Sequence, residues 1–404
     1  MSLRFLILNT DYPEFLDWFY AIQPSLKYQP YEAQLRARYK SLFGVADFYS
    51  SSLRRLGHEA WDVYANNEHM QSAWALEHGL KIDRPGADNT RLRDALQLAR
   101  RAAARTPVRR LKNLFLPVLR SLDKERTCIH GILAAQIKHY QPDILLNQDM
   151  HVIGAGFLGE MRPHYGLLVG QIASPLPQGE DFTEYDLMIS SLPNFVAHFR
   201  SIGVNSEQNG LGFDPSILDR LGHPDRDISI SFVGSLSMAH ETRIKLLEYL
   251  CLHLPMKIWG AGAHRLPPSS PIRKCYKGNA WGIEMYEILR RSKLTLNSHI
   301  GVAESYANNL RLYEATGAGA CLVTDEKDNL SELFEPGKEV VTYRSPEDCA
   351  EAISYYLAHD EERETIARAG RDRTLRDHTY YHRMREFISL IEAHQPPQAR
   401  RAVS

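Results

Sequence analysis

The feature that most constrains this chain is a short apolar run that keeps returning. LRFLIL (3–8) is cut off by Asn9, Asp11 and Pro13, and the same grammar recurs at DILLN (143–147), LLVGQIA (167–173), DLMIS (186–190), ISISFVG (228–234), MKIWG (256–260), KLTLN (293–297) and ACLVTD (320–325). Runs this short and nearly continuous predict strands buried on both faces. Helix-like stretches separate most of them, the alternation of βαβ units in parallel sheets. The series restarts at Ile228 after NGLGFDPSILDRLGHPDRD (209–227), a Pro- and Gly-rich hinge composition. The expected fold is α/β, with two Rossmann-like, doubly wound domains (1–210 and 225–377) facing across a cleft, and a helical insertion at about 69–140 in the first. HTYYHRMREFISLIEAH (378–394) sets Tyr380, Tyr381, Met384, Phe387, Ile388 and Ile391 near one face of a final helix.

Charge and cysteine content narrow the function. Lys+Arg (48) and Asp+Glu (49) cancel, so no global field recruits a polyanion and a nucleic-acid coat is excluded. Locally, 91–126 carries eleven Lys/Arg against three Asp/Glu, either a solvated helical face or a docking surface for an anionic acceptor or a membrane. Five cysteines, Cys128, Cys251, Cys275, Cys321 and Cys349, are widely spaced with no C-x-x-C, which suits neither a disulfide framework nor a zinc knuckle. The first apolar run is too short for a signal segment and no run approaches a spanning helix, so a soluble cytoplasmic protein is expected. Neither FVGS (232–235) nor WGAG (259–262) continues into a full G-x-G-x-x-G with an acidic residue at the distance a nicotinamide ribose needs, and G-x-x-x-x-G-K-[ST] and G-x-S-x-G do not occur, which disfavours dehydrogenases, P-loop NTPases and α/β-hydrolases. The acidic triplet at 225–227 lies in the hinge, away from any strand end, so no metal site is expected.

Ligands of open parallel sheets sit beyond the carboxyl ends of the strands. FVGS (232–235) precedes a helical pattern starting near His240, so Gly234 permits a tight turn whose amides can face a phosphate, or forms a plain βα turn. Gly260 in WGAG (259–262) ends the next strand in the same way. In LNSHIGVAESYANNLRLYEATGAGACLVTDEKDNLSELF (296–334), a strand ends at Asn297, and a short helix starts near Asn308 or Asn309 and runs through Glu314 to a Gly-Ala-Gly break. A carboxylate one turn into such a helix can accept hydrogen bonds from both hydroxyls of a ribose, or simply complement the helix dipole.

The stretch from Asn309 through Met384 resembles the C-terminal part of CgeB-type (spore-maturation-protein-like) glycosyltransferases, relatives of the group-1 nucleotide-sugar enzymes of GT-B fold, and the likeness spans residues 228–388. The resemblance implies transfer of a sugar from a nucleotide-diphosphate donor (a UDP-, dTDP- or GDP-sugar, with no other cofactor) held by the second domain. Glu314 falls at the family's ribose-binding Glu. An earlier Glu of the group-1 pattern is Tyr306 here, and the nearest carboxylate, Glu304, becomes the donor-sugar candidate. The family's phosphate-neutralising Arg and Lys are replaced by Ser235 and His240. Arg243, Arg311 or Lys293 then supplies the charge, with Arg311 preferred because it shares a helix with Glu314. Gly234, Gly260, Asn297, Asn308 and Asn309 complete the donor set. The acceptor-side base comes from Asp11, Asp149 or His151, each of which also suits an ordinary turn. The terminal helix is expected to cross back onto the first domain. A sugar-nucleotide epimerase or hydrolase, or a non-catalytic nucleotide-sugar binder, stays open on the same scaffold.

Overall fold

The computed structural model describes residues 2–80, 129–237 and 240–394. Its strands form two sheets, every pair parallel. The first comprises β1 (Arg4–Asn9), β2 (Glu59–Tyr64), β3 (Ile144–Asn147), β4 (Leu167–Gln171), β5 (Leu187–Ser190) and β6 (Ser206–Gln208), in the order β2-β1-β3-β4-β5-β6. The second comprises β7 (Ile228–Val233), β8 (Met256–Trp259), β9 (Ser292–Leu296), β10 (Cys321–Asp325) and β11 (Val341–Tyr343), in the order β11-β10-β9-β7-β8. All eight expected strands are present, together with β2, β6 and β11, which the apolar pattern misses; each of those three is an edge strand. Both sheets reverse direction beside their first strand. The topological switch points therefore lie between β1 and β3 and between β7 and β9, where such sheets open a crevice.

Alternate side chains of the first sheet feed different cores. Leu6, Leu8, Leu145 and Leu168 pack on one face. Phe5, Ile7, Leu146 and Val169 pack on the other, in a cluster that continues into Phe213, Tyr286, Leu312, Tyr313, Met384 and Phe387 from the second half of the chain. One apolar core thus joins the two sheets.

The chain crosses between the sheets twice, side by side. The Phe213 N–H donates to the His378 carbonyl (2.9 Å), the Tyr380 N–H returns to the Phe213 carbonyl (3.1 Å), and Arg383 Nε donates to the Leu211 carbonyl (2.8 Å). From there the helix Tyr380–His394 lies against the first sheet's side, with Phe387 6.1 Å from Phe5 and Tyr380 stacked on Phe48 at 5.2 Å. A second seam forms at Gly282, whose φ of +56° lets the backbone approach Ser41 so closely that a Cβ would land on the Ser41 carbonyl oxygen. The Ile283 N–H donates to that oxygen (3.0 Å), and Trp281 sets its edge on Phe43 at 5.2 Å.

Of the expected insertion, the helix Glu68–Glu77 and residues 129–140 are described; the basic stretch 91–126 lies outside the described residues. Among the described residues no helix is long and apolar enough to cross a membrane.

Candidate active site

The carboxyl ends of the two sheets face each other. Asn194, after β5, donates to the Val302 carbonyl after β9 (3.2 Å), and Tyr12, after β1, sits where both Asp149 of the first sheet and Glu314 of the second act on its phenol.

On the second sheet, the helix Leu310–Ala318 begins at Asn309, whose Oδ1 accepts the Leu312 N–H (3.2 Å), and ends at Gly319 with φ +88°. Asn309 Nδ2 donates to Asn297 Oδ1 (2.7 Å), and Asn297 Nδ2 to Thr324 Oγ1 (2.9 Å). The side chains of Asn297 and Asn309, expected to hold donor, are therefore used to fix where this helix starts. Asn308 is nearly buried beside them. Glu314 is 6% exposed; it takes Arg311 at 2.9 Å and the Tyr286 hydroxyl at 3.4 Å.

That pairing bears on the choice of phosphate-binding cation. Arg311 is engaged by Glu314 and by the Met285 sulfur (2.9 Å), and Lys293 lies 3.7 Å from Asp360, away from the crevice. Arg243 instead occupies the switch point. It rises from the first turn of the helix Glu241–His253, donates to the carbonyls of Ser298 (2.7 Å) after β9 and Ser235 (3.5 Å) after β7, and lies over the Phe232 ring. It is 9% exposed, its Nε has no partner, and among the described residues no carboxylate lies within ion-pair distance of it. Burial pulls its pKa down, partly countered by Tyr343 and Asp325.

Next along the edge, His299 Nδ1 and its own backbone N–H both bond Asp325 Oδ1 (2.6 and 3.1 Å), and Lys327 Nζ lies 3.5 Å from the other oxygen. His299 Nε2 is buried without a partner. Burial works to raise the Asp325 carboxyl, but His299, then Lys327, outweigh it and hold it below the ordinary range. Gly234 and Gly260 serve close packing of the loops after β7 and β8: a Cβ on Gly260 (φ +143°) would strike the Gly234 carbonyl, so Gly260 has a structural task. Ser235 is exposed and His240 half-buried, its pKa lowered by burial and then by Arg243. Glu304 stands exposed on the loop before Asn309 in a left-handed conformation (φ +51°), its carbonyl held by Lys327 (2.8 Å).

On the first sheet, Asp11 cannot serve as a free base. Its carboxylate is closed to solvent inside the fork of Arg38 (2.6 to 3.0 Å), and Arg38 is packed over Phe15, Phe43 and Tyr64. Asp149 is only half-buried. Its Oδ1 accepts the backbone N–H of His151 (3.0 Å) and Val152 (3.3 Å), and its Oδ2 accepts the Thr10 hydroxyl, directly across the β1/β3 switch point. His151 is exposed and its Nε2 donates to the Pro175 carbonyl (3.0 Å), which leaves Nδ1 as the free lone pair. Tyr12 is 66% exposed to the cleft, yet protein on most sides, then Asp149, Glu14 and Glu314, raise its phenol's pKa.

Tyr12, His299 and Asp325 are absent from the sequence-derived set. The signal for each was position: Asp325 ends an apolar run, and Tyr12 and His299 lie in the loops just beyond one. The resulting cleft holds a buried, unpaired cation on one side and a half-exposed carboxylate on the other, which suits binding an anionic group opposite a group that loses a proton.

Residues 243–389 match the family model described as glycosyl transferase-like. No protein of curated function matches the sequence. Among solved structures, a glycosyltransferase from Rickettsia africae aligns over 98% of this chain and 100% of its own at 11% identity and a TM-score of 0.55. HepE of Anabaena in complex with UDP-glucose aligns over 97% and 100% at 12% identity and 0.56, and sucrose-phosphate synthase of Thermosynechococcus elongatus over 97% and 99% at 11% identity and 0.53. This is a GT-B glycosyltransferase fold. The match to the glycosyl transferase-like model lies within its second half, and Arg243 opens the matched region.

Proposed function

We propose that the protein is a CgeB-type, cytoplasmic glycosyltransferase that moves a sugar from a UDP-, dTDP- or GDP-sugar to an acceptor hydroxyl held at the carboxyl edge of the first sheet. The observation that carries this reading is Arg243. A buried guanidinium with only carbonyl partners costs several kcal/mol of desolvation, a cost that an arriving diphosphate offsets. The bond between the sugar's anomeric carbon and the diphosphate breaks with its electron pair on the phosphate oxygen, and that developing charge faces Arg243 and the N-terminus of the helix Leu310–Ala318. Glu314 takes the ribose hydroxyls and Glu304 contacts the sugar. Asp149, with His151 beside it, receives the acceptor proton. The leaving-group charge is met by protein groups, so no metal is required.

Calorimetric titration of UDP, dTDP and GDP, with the parent nucleosides as controls, tests this. The native protein binds at least one diphosphate, and Arg243→Met weakens it by 1.5 to 3 kcal/mol, roughly tenfold or more, while the nucleoside is unaffected. Equal diphosphate affinity in the folded variant would remove Arg243, and with it the donor site, from this place.

A further inference from the structure

The two edges of the cleft differ in the cations they offer. The second sheet presents Arg243 without a carboxylate partner, and Arg311 and Lys327 paired with Glu314 and Asp325. The loops that follow β1 to β5 run over 10–12, 65–67, 148–154, 172–181 and 191–192, and they contain neither Lys nor Arg. Their ionisable groups are Asp11, Tyr12, Asp149, His151, Glu180 and Asp181. Asp11 is closed off on Arg38, so a phosphate or sulfate brought to this edge meets Asp149, Glu180 and Asp181 with no Lys or Arg in these loops to offset them, which like-charge repulsion opposes.

Neutral groups fill the edge instead. Asn9 Nδ2 donates to Gln148 Oε1 (2.9 Å), Gln148 Nε2 to Gln171 Oε1 (2.8 Å) and Gln171 Nε2 to the Tyr49 hydroxyl (2.8 Å), a row of amides across the ends of β1, β3 and β4. Each amide nitrogen carries two hydrogens and spends one in the row, so each half-buried amide keeps a donor for a ligand. Tyr12 lies on the loop that leaves β1, three residues after Asn9. Its backbone carbonyl caps the helix Pro13–Ile22 through the N–H groups of Phe15 and Leu16 (both 3.0 Å), and its ring leans edge-on against Phe43 at 5.7 Å. A large exposed ring is thus anchored through its backbone and Phe43, on the loop that joins Asn9 to the helix and within the field of Asp149.

We propose that the acceptor is an uncharged sugar whose ring packs on the face of Tyr12, whose hydroxyls bond the amides of Asn9, Gln148 and Gln171, and whose reacting hydroxyl meets Asp149. A flat aromatic face offers the C–H surface of a sugar ring an apolar partner, while amides and a carboxylate match its hydroxyls without asking for charge. This rests on the glycosyltransferase reading above. It further predicts that an anionic group next to the reacting hydroxyl abolishes transfer.

The test supplies the full-length enzyme with the nucleotide sugar it consumes and a panel of methyl glycosides and disaccharides, their phosphorylated and sulfated counterparts, and a Ser/Thr peptide. Transfer to uncharged saccharides is expected, and the charged counterparts are at least about tenfold poorer in kcat/KM. Tyr12→Ala raises the acceptor KM about tenfold with a smaller change in kcat, and Tyr12→Phe, which keeps the ring, recovers most of the loss. Transfer confined to phosphorylated or sulfated sugars, to the peptide, or to no member of the panel while the donor is still bound and slowly hydrolysed overturns the proposal. So does an acceptor KM that Tyr12→Ala leaves in place. Failure to bind or turn over any nucleotide sugar is a different result and strikes the reading beneath it.

Discussion

Acidification should loosen the seam between the two sheets through His378. This residue sits on the return crossing and is 5% exposed, with its ring between Tyr313 (5.3 Å) and Phe334 (5.2 Å). Its Nε2–H donates to the Leu333 carbonyl (2.8 Å), and its Nδ1 accepts Arg383 Nη2 (2.7 Å), so the neutral ring fits and a second proton would point at a guanidinium. Burial first, then Arg383 and Arg373, pull its pKa down to about 4 from 6.5, against the opposing hydrogen bond to Leu333. Because the folded value is the lower one, the unfolded chain takes the proton first. The stabilisation by the neutral ring is complete above about pH 6.5 and is lost as pH falls towards 4. A difference of about 2.5 pKa steps at 1.36 kcal/mol each gives about 3 kcal/mol in full, and about 2 kcal/mol of it is gone by about pH 5. Asp62, whose carboxyl burial pushes up to about 6, works in the opposite sense over the same window. The decisive comparison is therefore with a variant. Urea unfolding at about pH 7.5 and about pH 5 should show His378→Gln losing about 2 kcal/mol less than the native protein between the two. Equal losses in both proteins would refute the argument.

Glu314→Gln should weaken the binding of whichever nucleoside diphosphate the native protein takes by about 1.5 kcal/mol, measured by calorimetry. Gln is the better test than Ala because it keeps a partner for half-buried Arg311. Turnover should survive EDTA with less than about a twofold change, whereas full dependence on Mg²⁺ or Mn²⁺ would contradict leaving-group stabilisation by protein groups. Truncation after Leu375 removes Tyr380, Met384, Phe387 and Ile391 from the shared core, at about 1.5 to 3 kcal/mol each; transfer should be lost and the first domain should melt at a lower temperature, read by differential scanning calorimetry.

The interior strands were legible because each is buried on both faces and so reads as one apolar run. Of the edge strands only β8 was: β2 carries Glu59 and buried Asp62, while β6 (SEQ) and β11 (VTY) are three residues long with polar members. The helix of Glu314 was legible for local reasons, an Asn cap before it and a left-handed Gly after it. Choosing between Arg311 and Arg243 was not a local question. A spacing of three closes Arg311 onto Glu314, whereas Arg243 is placed by a carbonyl 55 residues away, brought alongside because β7 and β9 are neighbours. Asp11 with Arg38, 27 residues apart, and His299 with Asp325, 26 apart, are likewise made by the fold. Strand-end position marks a residue as facing the crevice; whether its side chain is free or already paired is decided by elements distant in sequence.

Incubation with radiolabelled UDP-, dTDP- and GDP-sugars, with and without a saccharide acceptor, tests the central claim most directly. The account predicts that label from one donor appears in a new acceptor product, with one nucleoside diphosphate released per sugar transferred, and that the product is lost in Arg243→Met. Label that stays on the nucleotide with altered stereochemistry, or donor bound without turnover under every acceptor condition, would contradict it.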